Sequence, residues 1–412
     1  MKTYAIVGAG SRGTTMYAVQ MQKYFSDCAS IVGVCDVNQK RCAALIDEAK
    51  LPDCRIYSRF DEMLEKEKPD VVIVTTVDCF HHEYIIKALD FGCDVISEKP
   101  LTVDEEKYKK IAEAEKRAGK KVIVTFNCRF MPFFVRVKQL LMEGAIGEIL
   151  SVHYEWYLDT SHGADYFRRW HRRRENSGSL LIHKASHHFD IANWLLEQDP
   201  ESVNAFGTLR FYGPSREKRG ERCLTCQWKK ECEFYLDITA NPFLKKFYYD
   251  CEDEDGYYRD RCVFSEDIDI EDSVSVNVRY QKGAVMSYSL TAHSPYEGYR
   301  IVLNGREGRL IAEHLTGKGF YQGKNTYHLS VFNRKGEKIE YQFPQSLETA
   351  ETHDGGDIRL LEMLIRGGLE DPLGQVADSY AGAMAIGIGI AANHSLKENR
   401  QVCLSELFNG NL

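Results

Sequence analysis

The sequence has little excess positive charge and no long hydrophobic run. Across 412 residues, 61 acidic side chains outnumber 53 basic ones, which gives a formal net charge of −8. Nucleic acids and anionic membranes attract a basic field, so we expect neither a nucleic-acid partner nor a membrane partner. The longest uncharged apolar run, from Tyr380 to Ala392, is shorter than a membrane-spanning helix, and we expect it to form a buried helix.

The N-terminus also has no charged-then-apolar leader, because the first residues run directly into a predicted strand and a glycine turn. We therefore expect no signal peptide and a cytoplasmic location. The 13 cysteines are then expected in a reducing compartment, as free thiols or as metal ligands. The length of the chain predicts two domains.

Two different strand patterns divide the chain. The first 125 residues alternate short apolar strands with helical segments, which predicts an α/β domain with a doubly wound parallel sheet. Further on, alternating residues of Val274–Tyr280 are apolar, and a turn containing Gly283 leads to Val285–Thr291, as in an antiparallel hairpin. Residues 126–412 are therefore expected to form an α+β domain with an open, mostly antiparallel sheet. Within it we expect a cysteine-containing insertion at about 215–265 and helices over 357–396 that pack back on the domains.

A glycine-rich turn suggests a ligand for the first domain. Gly8-Ala9-Gly10-Ser11-Arg12-Gly13 matches the pattern G-x-G-x-x-G between a predicted strand and a predicted helix. Such glycines allow a tight turn and bring the backbone close to a pyrophosphate at the helix N-terminus. Asp36 ends the next strand, where a carboxylate binds the adenosine ribose and repels a 2′-phosphate. We therefore predict a Rossmann domain that binds NAD, with NADP as the weaker alternative because Lys40 and Arg41 lie nearby.

Several further motifs follow in order along the chain. They are Thr75-Thr76-Val77-Asp78-Cys79-Phe80-His81, Ser97-Glu98-Lys99-Pro100, Asn127-Cys128-Arg129-Phe130, Gly147-Glu148-Ile149, Ser177–Leu181 with His187-His188-Phe189-Asp190, and Gly355-Gly356-Asp357. They resemble the motifs of the Gfo/Idh/MocA family of sugar and polyol dehydrogenases, except that Val77 replaces a usual proline. The resemblance implies that the cofactor is also contacted by Thr75, Thr76, His81, Glu98, Lys99 and Asn127.

The resemblance further implies that Lys99 and His187 face the nicotinamide from the two domains. Oxidation of an alcohol needs a base for the hydroxyl proton while a hydride leaves the carbon. Histidine suits this task near neutral pH, whereas a lysine does so only with a lowered pKa and otherwise polarises the substrate oxygen. Many relatives carry an aspartate four residues before this histidine, but this sequence has His183. On a continuous helix the two histidines would share a face, so His183 is also a catalytic candidate.

An arginine-rich segment surrounds Trp170, from Asp165 to Arg174. It is a candidate wall of the substrate cleft, since tryptophan stacks on sugar faces and arginine binds hydroxyl or carboxylate oxygens. The alternative is a solvated loop paired with acidic neighbours, and we expect only one or two of the arginines to contact substrate. The predicted substrate-binding residues are Lys99, Arg129, Tyr157, Arg169, Trp170, His183 and His187.

Four cysteines of the insertion form a candidate structural zinc site. Cys223 and Cys226 are a C-x-x-C pair, and Cys232 and Cys262 complete the four thiolates that tetrahedral coordination requires. Cys251 is the rival for the fourth position. The alternative is a set of reduced thiols without a metal.

Three functions are compatible with these features. The leading hypothesis is NAD-dependent oxidation of a secondary hydroxyl on a sugar, polyol or related cyclic substrate. The alternative is a glycoside hydrolase that oxidises a sugar carbon transiently, eliminates the glycosidic group and returns the hydride. A non-catalytic NAD-sensing protein is less favoured, because Lys99 and His187 are both present. An open sheet usually buries its free face, so we also expect a homodimer or homotetramer.

Overall fold

The computed structural model describes residues 1–316, 325–343 and 352–408. Within these ranges, none of the helices is both long and apolar enough to cross a membrane. The elements belong to two sheets and the helices that cover them.

The N-terminal part alternates strands and helices, as predicted. Its elements are β1 (Lys2–Val7), α1 (Val19–Tyr24), β2 (Ala29–Cys35), α2 (Gln39–Ala49), β3 (Arg55–Tyr57), α3 (Phe60–Glu67), β4 (Val71–Val74), α4 (His81–Phe91), β5 (Asp94–Ser97), α5 (Glu105–Ala118) and β6 (Val122–Val124). A π-helical turn, Gly13–Ala18, leads into α1, and 3-10 turns at Asp78–Phe80 and Asn127–Phe130 follow β4 and β6.

The remaining described chain contains helices and longer strands. Its elements are α6 (Pro132–Met142), β7 (Ile149–Asp159), α7 (Thr160–Arg168), α8 (Arg174–Ser177), α9 (Leu180–His183), α10 (Ser186–Leu196), β8 (Pro200–Thr208), α11 (Pro242–Phe247), α12 (Glu252–Asp255), β9 (Ser273–Tyr280), β10 (Val285–Ser294), β11 (Glu297–Gly305), β12 (Gly308–Thr316), β13 (Thr326–Asn333), β14 (Lys338–Tyr341), α13 (Gly356–Leu361), β15 (Ala377–Asp378), α14 (Ser379–Glu398), β16 (Val402–Cys403) and α15 (Leu404–Phe408). Shorter turns of 3-10 helix lie at Trp170–Arg172, Tyr249–Cys251 and Thr352–Gly355, and a π-helical turn lies at Glu362–Arg366.

The first sheet is the predicted doubly wound sheet. Its strand order is β15-β6-β5-β4-β1-β2-β3, and β1 to β6 pair in parallel. All four residues of β4 are buried, as expected for a strand covered on both faces. Because the carboxyl ends of parallel strands lie at one edge, the segments after β1, β2, β4, β5 and β6 meet there.

The second sheet has nine strands in the order β14-β13-β12-β11-β7-β10-β9-β8-β16. It is antiparallel except for the pair β7–β10, and the predicted hairpin of β9 and β10 is confirmed. In β7 the buried side chains Val152, Tyr154, Trp156 and Leu158 alternate with more exposed ones. One face therefore packs against helices, and the other face is open.

The C-terminal segment crosses back to the first sheet. Strand β15 pairs with β6 in antiparallel orientation, with Ala377 opposite Val124. Helix α14 then buries the predicted apolar run, and glycines let it pack closely: a Cβ at Gly389 would lie 2.4 Å from the carbonyl oxygen of Leu181. A division of the chain at residue 125 thus leaves one edge strand of the first sheet in the second part.

Candidate active site

The glycine turn after β1 has the shape of a dinucleotide cradle. Gly8 has φ +99°, and a Cβ on it would lie 2.6 Å from the backbone of Thr75. A Cβ on Gly13 would lie 2.3 Å from the carbonyl oxygen of Gly8, so both positions require glycine. A Cβ on Gly10 would have the Tyr248 hydroxyl, 3.9 Å away, as its nearest neighbour in the described part of the chain. Glycine at position 10 therefore leaves room for a ligand rather than for another part of the protein.

Asp36 lies beside this turn at the carboxyl end of β2. Its Oδ2 accepts a hydrogen bond from the backbone N–H of Ala9 (2.7 Å), and its Oδ1 accepts one from Asn38 (2.9 Å). Burial raises the pKa of the Asp36 carboxyl, although these hydrogen bonds oppose the shift. Each oxygen retains acceptor capacity for a ribose hydroxyl. The turn and Asp36 together fit the NAD predicted from the sequence.

Several predicted cofactor residues form a largely buried network that joins four motifs. Arg12 donates from Nε to Glu98 (2.7 Å) and from both Nη atoms to Asp357 (3.1 and 3.2 Å). Asn127 Nδ2 donates to Asp357 (2.5 Å), and the Tyr17 hydroxyl donates to Glu98 (2.8 Å). The network fixes the glycine turn relative to the loops after β5 and β6.

The predicted cofactor residues after β4 brace neighbouring loops. Thr75 Oγ1 donates to the Gly8 carbonyl oxygen (2.6 Å). The two ring nitrogens of buried His81 lie 2.9 Å from the carbonyl oxygen of Pro100 and 3.1 Å from that of Thr76. The side chain of His81 therefore links the loop after β4 to the loop after β5.

Lys99, in the loop after β5, is partly buried in the site, and its ammonium group reaches the second domain. Nζ donates a hydrogen bond to the main-chain oxygen of His183 (2.7 Å). Burial lowers the pKa of Lys99 to about 8, nearby Asp78 opposes this shift, and Lys184 adds to it. This amine changes its charge close to physiological pH, which an exposed lysine does not do.

Asp78 pairs with His183, and this contact was not predicted from the sequence. Oδ2 of Asp78 lies 2.5 Å from Nδ1 of His183. Burial raises the pKa of the Asp78 carboxyl and lowers the pKa of the His183 imidazole, so both charged forms are disfavoured. The ring of His183 also contacts His171 and Trp170, with centroids 4.0 and 5.5 Å apart. The sequence contained a signal for this contact, because Asp78 is the carboxylate in the Thr75–His81 motif, which directly follows a buried strand.

The two candidate histidines do not lie on one continuous helix. Helix α9 ends at His183 and α10 begins at Ser186, so the spacing of four residues does not by itself place both side chains on one face. The ring of His187 contacts Phe126, with centroids 6.0 Å apart, and Phe126 follows β6. This contact places His187 at the carboxyl edge of the parallel sheet, the edge that also holds Lys99.

Arg129, predicted to bind substrate, forms a buried ion pair with Asp190. It donates from Nε and Nη2 to both carboxylate oxygens of Asp190 (2.8 and 2.6 Å) and from Nη1 to the Gly374 carbonyl oxygen (3.0 Å). The pair joins the loop after β6 to α10. It therefore orients the helix that carries His187.

Tyr157, predicted to bind substrate, lies near the end of β7. Trp156, its neighbour on β7, stacks on His188 of α10 with ring centroids 3.8 Å apart. Because side chains alternate along a strand, Tyr157 points to the opposite, open face, where its hydroxyl donates to Glu155 (2.5 Å). Tyr157 is thus not a wall of the cleft beside α10, and its role in substrate binding stays a prediction.

The arginine-rich segment serves two purposes. Trp170 packs on His171, with ring centroids 3.7 Å apart, and Arg169 donates to Asp165 (2.9 Å), so these residues border the site around His183. The other arginines contact other parts of the protein. Arg168 contacts Cys223 and Phe234 of the insertion. Arg172, Arg173 and Arg174 form ion pairs with Asp267, Asp269 and Glu271, respectively.

The predicted zinc site is not assembled. Among residues 1–316, 325–343 and 352–408, no three histidine, cysteine or acidic side chains are grouped so that they could hold a metal ion. The thiol of Cys223 is buried and receives a hydrogen bond from Arg168 (3.1 Å), while Cys226, Cys232 and Cys262 are free thiols. The C-x-x-C spacing is local, and it does not bring the other two sulfurs to a common point.

These features define a class of protein: a Rossmann dinucleotide-binding domain joined to an α/β domain that supplies histidines to the nucleotide edge. Residues 2–126 match the description "Oxidoreductase family, NAD-binding Rossmann fold", and residues 138–404 match "Oxidoreductase family, C-terminal alpha/beta domain". The chain therefore belongs to the Gfo/Idh/MocA oxidoreductase family. The family resemblance and the fold class predicted from the sequence are both confirmed.

Some similar proteins match the whole chain, and others match only part of it. A Bacillus subtilis (strain 168) protein named as an oxidoreductase, YteT, is 36% identical over 436 residues, with 99% of both chains covered. An inositol 2-dehydrogenase of Serratia proteamaculans (strain 568) is 29% identical over 42% of this chain and 48% of its own. Among solved structures, levoglucosan dehydrogenase in complex with NADH and L-sorbose has a TM-score of 0.71 at 19% identity, covering 98% of this chain and 99% of its own. The scyllo-inositol dehydrogenase of Lactobacillus casei, with NAD(H) and scyllo-inositol, has a TM-score of 0.65 at 18% identity, with the same coverage.

Proposed function

We propose that this protein oxidises a secondary hydroxyl of a sugar, polyol or related cyclic substrate with NAD. The observation that carries the proposal is the placement of Lys99 and His187 at one sheet edge, beside the glycine turn and Asp36. The names of the relatives agree with this substrate class, since inositols and levoglucosan are ring compounds that bear secondary hydroxyls.

Each residue has a separate task in the proposed reaction. The glycine turn and Asp36 would hold NAD, which would supply the acceptor for the hydride of the substrate carbon. His187 takes the hydroxyl proton, and the Lys99 ammonium donates a hydrogen bond to the same oxygen. Asp78 orients the ring of His183, and Trp170 packs against this pair and offers its ring to a sugar face.

The test is a panel of sugars, inositols and aryl glycosides, incubated with NAD while NADH absorbance and released aglycone are followed in parallel. We expect NADH to accumulate with at least one cyclic polyol or sugar. Release of aglycone without NADH would instead support hydrolysis by transient oxidation. A panel without either signal would contradict both proposals.

The redox-assisted glycosidase remains a second candidate because of one observation. The insertion reaches the glycine turn, where the Tyr248 hydroxyl accepts a hydrogen bond from the backbone N–H of Ser11 (3.0 Å). A cofactor covered by this segment would leave slowly. Slow release suits a reaction in which the hydride returns to the sugar.

We predict that Asp36→Ala weakens NAD binding by roughly ten- to a hundredfold, the range expected for hydrogen bonds to a charged group. Calorimetry with NAD and NADP measures this directly. Asp61→Ala, which removes an exposed carboxylate paired with Lys87 (3.0 Å), is the control and should leave NAD affinity unchanged. Tighter binding of NADP than NAD by the unaltered protein would show that Asp36 has been misassigned.

We predict that Asp78→Asn lowers kcat by roughly ten- to a hundredfold, because His183 loses the buried hydrogen bond to a carboxyl group that fixes its ring. His183→Gln should have a similar effect. The double variant should lose little more than either single variant, since both changes break one contact. Additive losses of activity would mean that Asp78 and His183 act independently.

A further inference from the structure

The insertion that carries the cysteines also reaches the nucleotide domain. Its segment 242–255 comprises α11, the turn Tyr249–Cys251 and α12, and it packs against the start of α2. Asn38 Nδ2 donates to the carbonyl oxygen of Cys251 (2.8 Å), and Arg41 Nε donates to that of Phe247 (3.1 Å). Both donors lie within five residues of Asp36, so this segment borders the side of the site where the adenosine ribose would bind.

Carboxylates of the insertion neutralise Lys40 and Arg41, the first two cations after Asp36 in the sequence. Asp255 Oδ2 lies 2.9 Å from Arg41 Nη2, and both side chains are largely buried, with 16% and 9% exposed. Asp253 Oδ2 lies 2.5 Å from Lys40 Nζ, but these side chains are 68% and 46% exposed. Arg41 Nη1 also lies 3.7 Å from Asp36 Oδ1. Arg41 thus lies between the ribose-binding acid and an acid supplied by the insertion.

This arrangement bears on the choice between NAD and NADP. The two cofactors differ by a 2′-phosphate, which a site holds with arginine or lysine next to the ribose-binding strand. Here the cations in that position already have carboxylate partners. A phosphate entering beside them would face Asp36 and Asp255, and Arg41 would have to give up an ion pair to bind it.

We propose that Asp255 is a specificity-determining residue that makes the site selective for NAD by occupying Arg41. Asp253 has a smaller effect through Lys40, because exposed ion pairs are screened by solvent. The proposal rests on the proposed function, in which a dinucleotide binds at the glycine turn and Asp36. It assigns part of the nucleotide specificity to a segment of the second domain.

The test is calorimetric measurement of NAD and NADP affinity for the full chain and its variants. We expect Asp255→Asn to tighten NADP binding by roughly ten- to a hundredfold, the range of a charge-assisted hydrogen bond, while NAD affinity changes by less than about threefold. Asp253→Asn should tighten NADP binding by less than about threefold. Asp250→Asn, which removes an exposed partner of Lys245 (2.6 Å) in the same segment, is the matched control and should change neither affinity.

A second variant keeps this test decisive. Adding Arg41→Ala to Asp255→Asn should abolish the gain in NADP affinity, because the freed guanidinium is then missing. Retained NAD binding shows that the site of each variant is intact, and Asp255→Ser replaces Asp255→Asn if the amide variant does not fold. Unchanged NADP affinity with retained NAD binding would overturn this inference, whereas failure of the unaltered protein to bind NAD would overturn the proposed function instead.

Discussion

Lys99→Met is expected to lower kcat by roughly 10²–10⁴-fold while the protein remains folded. The side chain keeps its length but loses the ammonium group that we assign to the substrate oxygen. Substrate binding should weaken as well, because the hydrogen bond also holds the ground state. Steady-state kinetics with the substrate found in the panel measures kcat and KM separately.

A second lysine provides a matched control. Lys138 is buried and its Nζ donates to the main-chain oxygen of Trp194 (2.7 Å), just as Lys99 donates to that of His183 (2.7 Å). Lys138→Met removes an equivalent hydrogen bond and an ion pair with Glu197 (2.5 Å), on α6 rather than in the loop after β5. It should lower thermal stability with little effect on kcat. Equal losses of kcat in both variants would show that Lys99 acts only in folding.

The pH dependence of kcat/KM reports the role of Lys99. Its pKa is lowered to about 8, so Lys99 is a cation below that pH and neutral above it. If the cation polarises the substrate oxygen, kcat/KM should fall as pH rises through about 8, and Lys99→Met should lack this limb. A limb that rises through the same pH, and that disappears in Lys99→Met, would make Lys99 the proton acceptor instead.

His187→Ala is expected to lower kcat by on the order of a hundredfold or more, because the proposed base is lost. NAD affinity should change little, since the assigned nucleotide contacts, apart from Asn127, lie in the other domain. Adjacent His188 offers the control: it is buried, stacks on Trp156 and has Nδ1 2.7 Å from the Tyr288 hydroxyl. His188→Ala should lower thermal stability more than kcat. The reverse result, with His188 essential for turnover and His187 dispensable, would contradict the assignment.

Local signals made much of the first domain predictable. Helix α5 covers Glu105–Ala118 because Asp104 accepts a hydrogen bond from the Lys107 N–H at its start, and Gly119 ends the helix at φ +62°. The glycine turn and Asp36 were predictable because a strand, a turn and a helix follow one another in the sequence. The expected cytoplasmic location and the homo-oligomeric state stay predictions.

Contacts between distant segments could not be predicted. Strand β8 ends at Thr208 because Asp272 accepts hydrogen bonds from the backbone N–H groups of Arg210, Phe211 and Tyr212. The Asp78–His183 pair joins residues 105 positions apart. Neither periodicity nor motif spacing reports such pairs, and the same limit explains the unassembled cysteine site.

Isotope transfer shows whether a hydride passes from a substrate carbon to the nicotinamide. Once the panel identifies a substrate, its reacting carbinol C–H is replaced with C–D and the products of a single turnover are analysed by mass spectrometry. We expect one deuterium in the reduced cofactor for each molecule of ketone formed. Deuterium that appears in water, or a product formed without deuterium ever entering the cofactor, would contradict it.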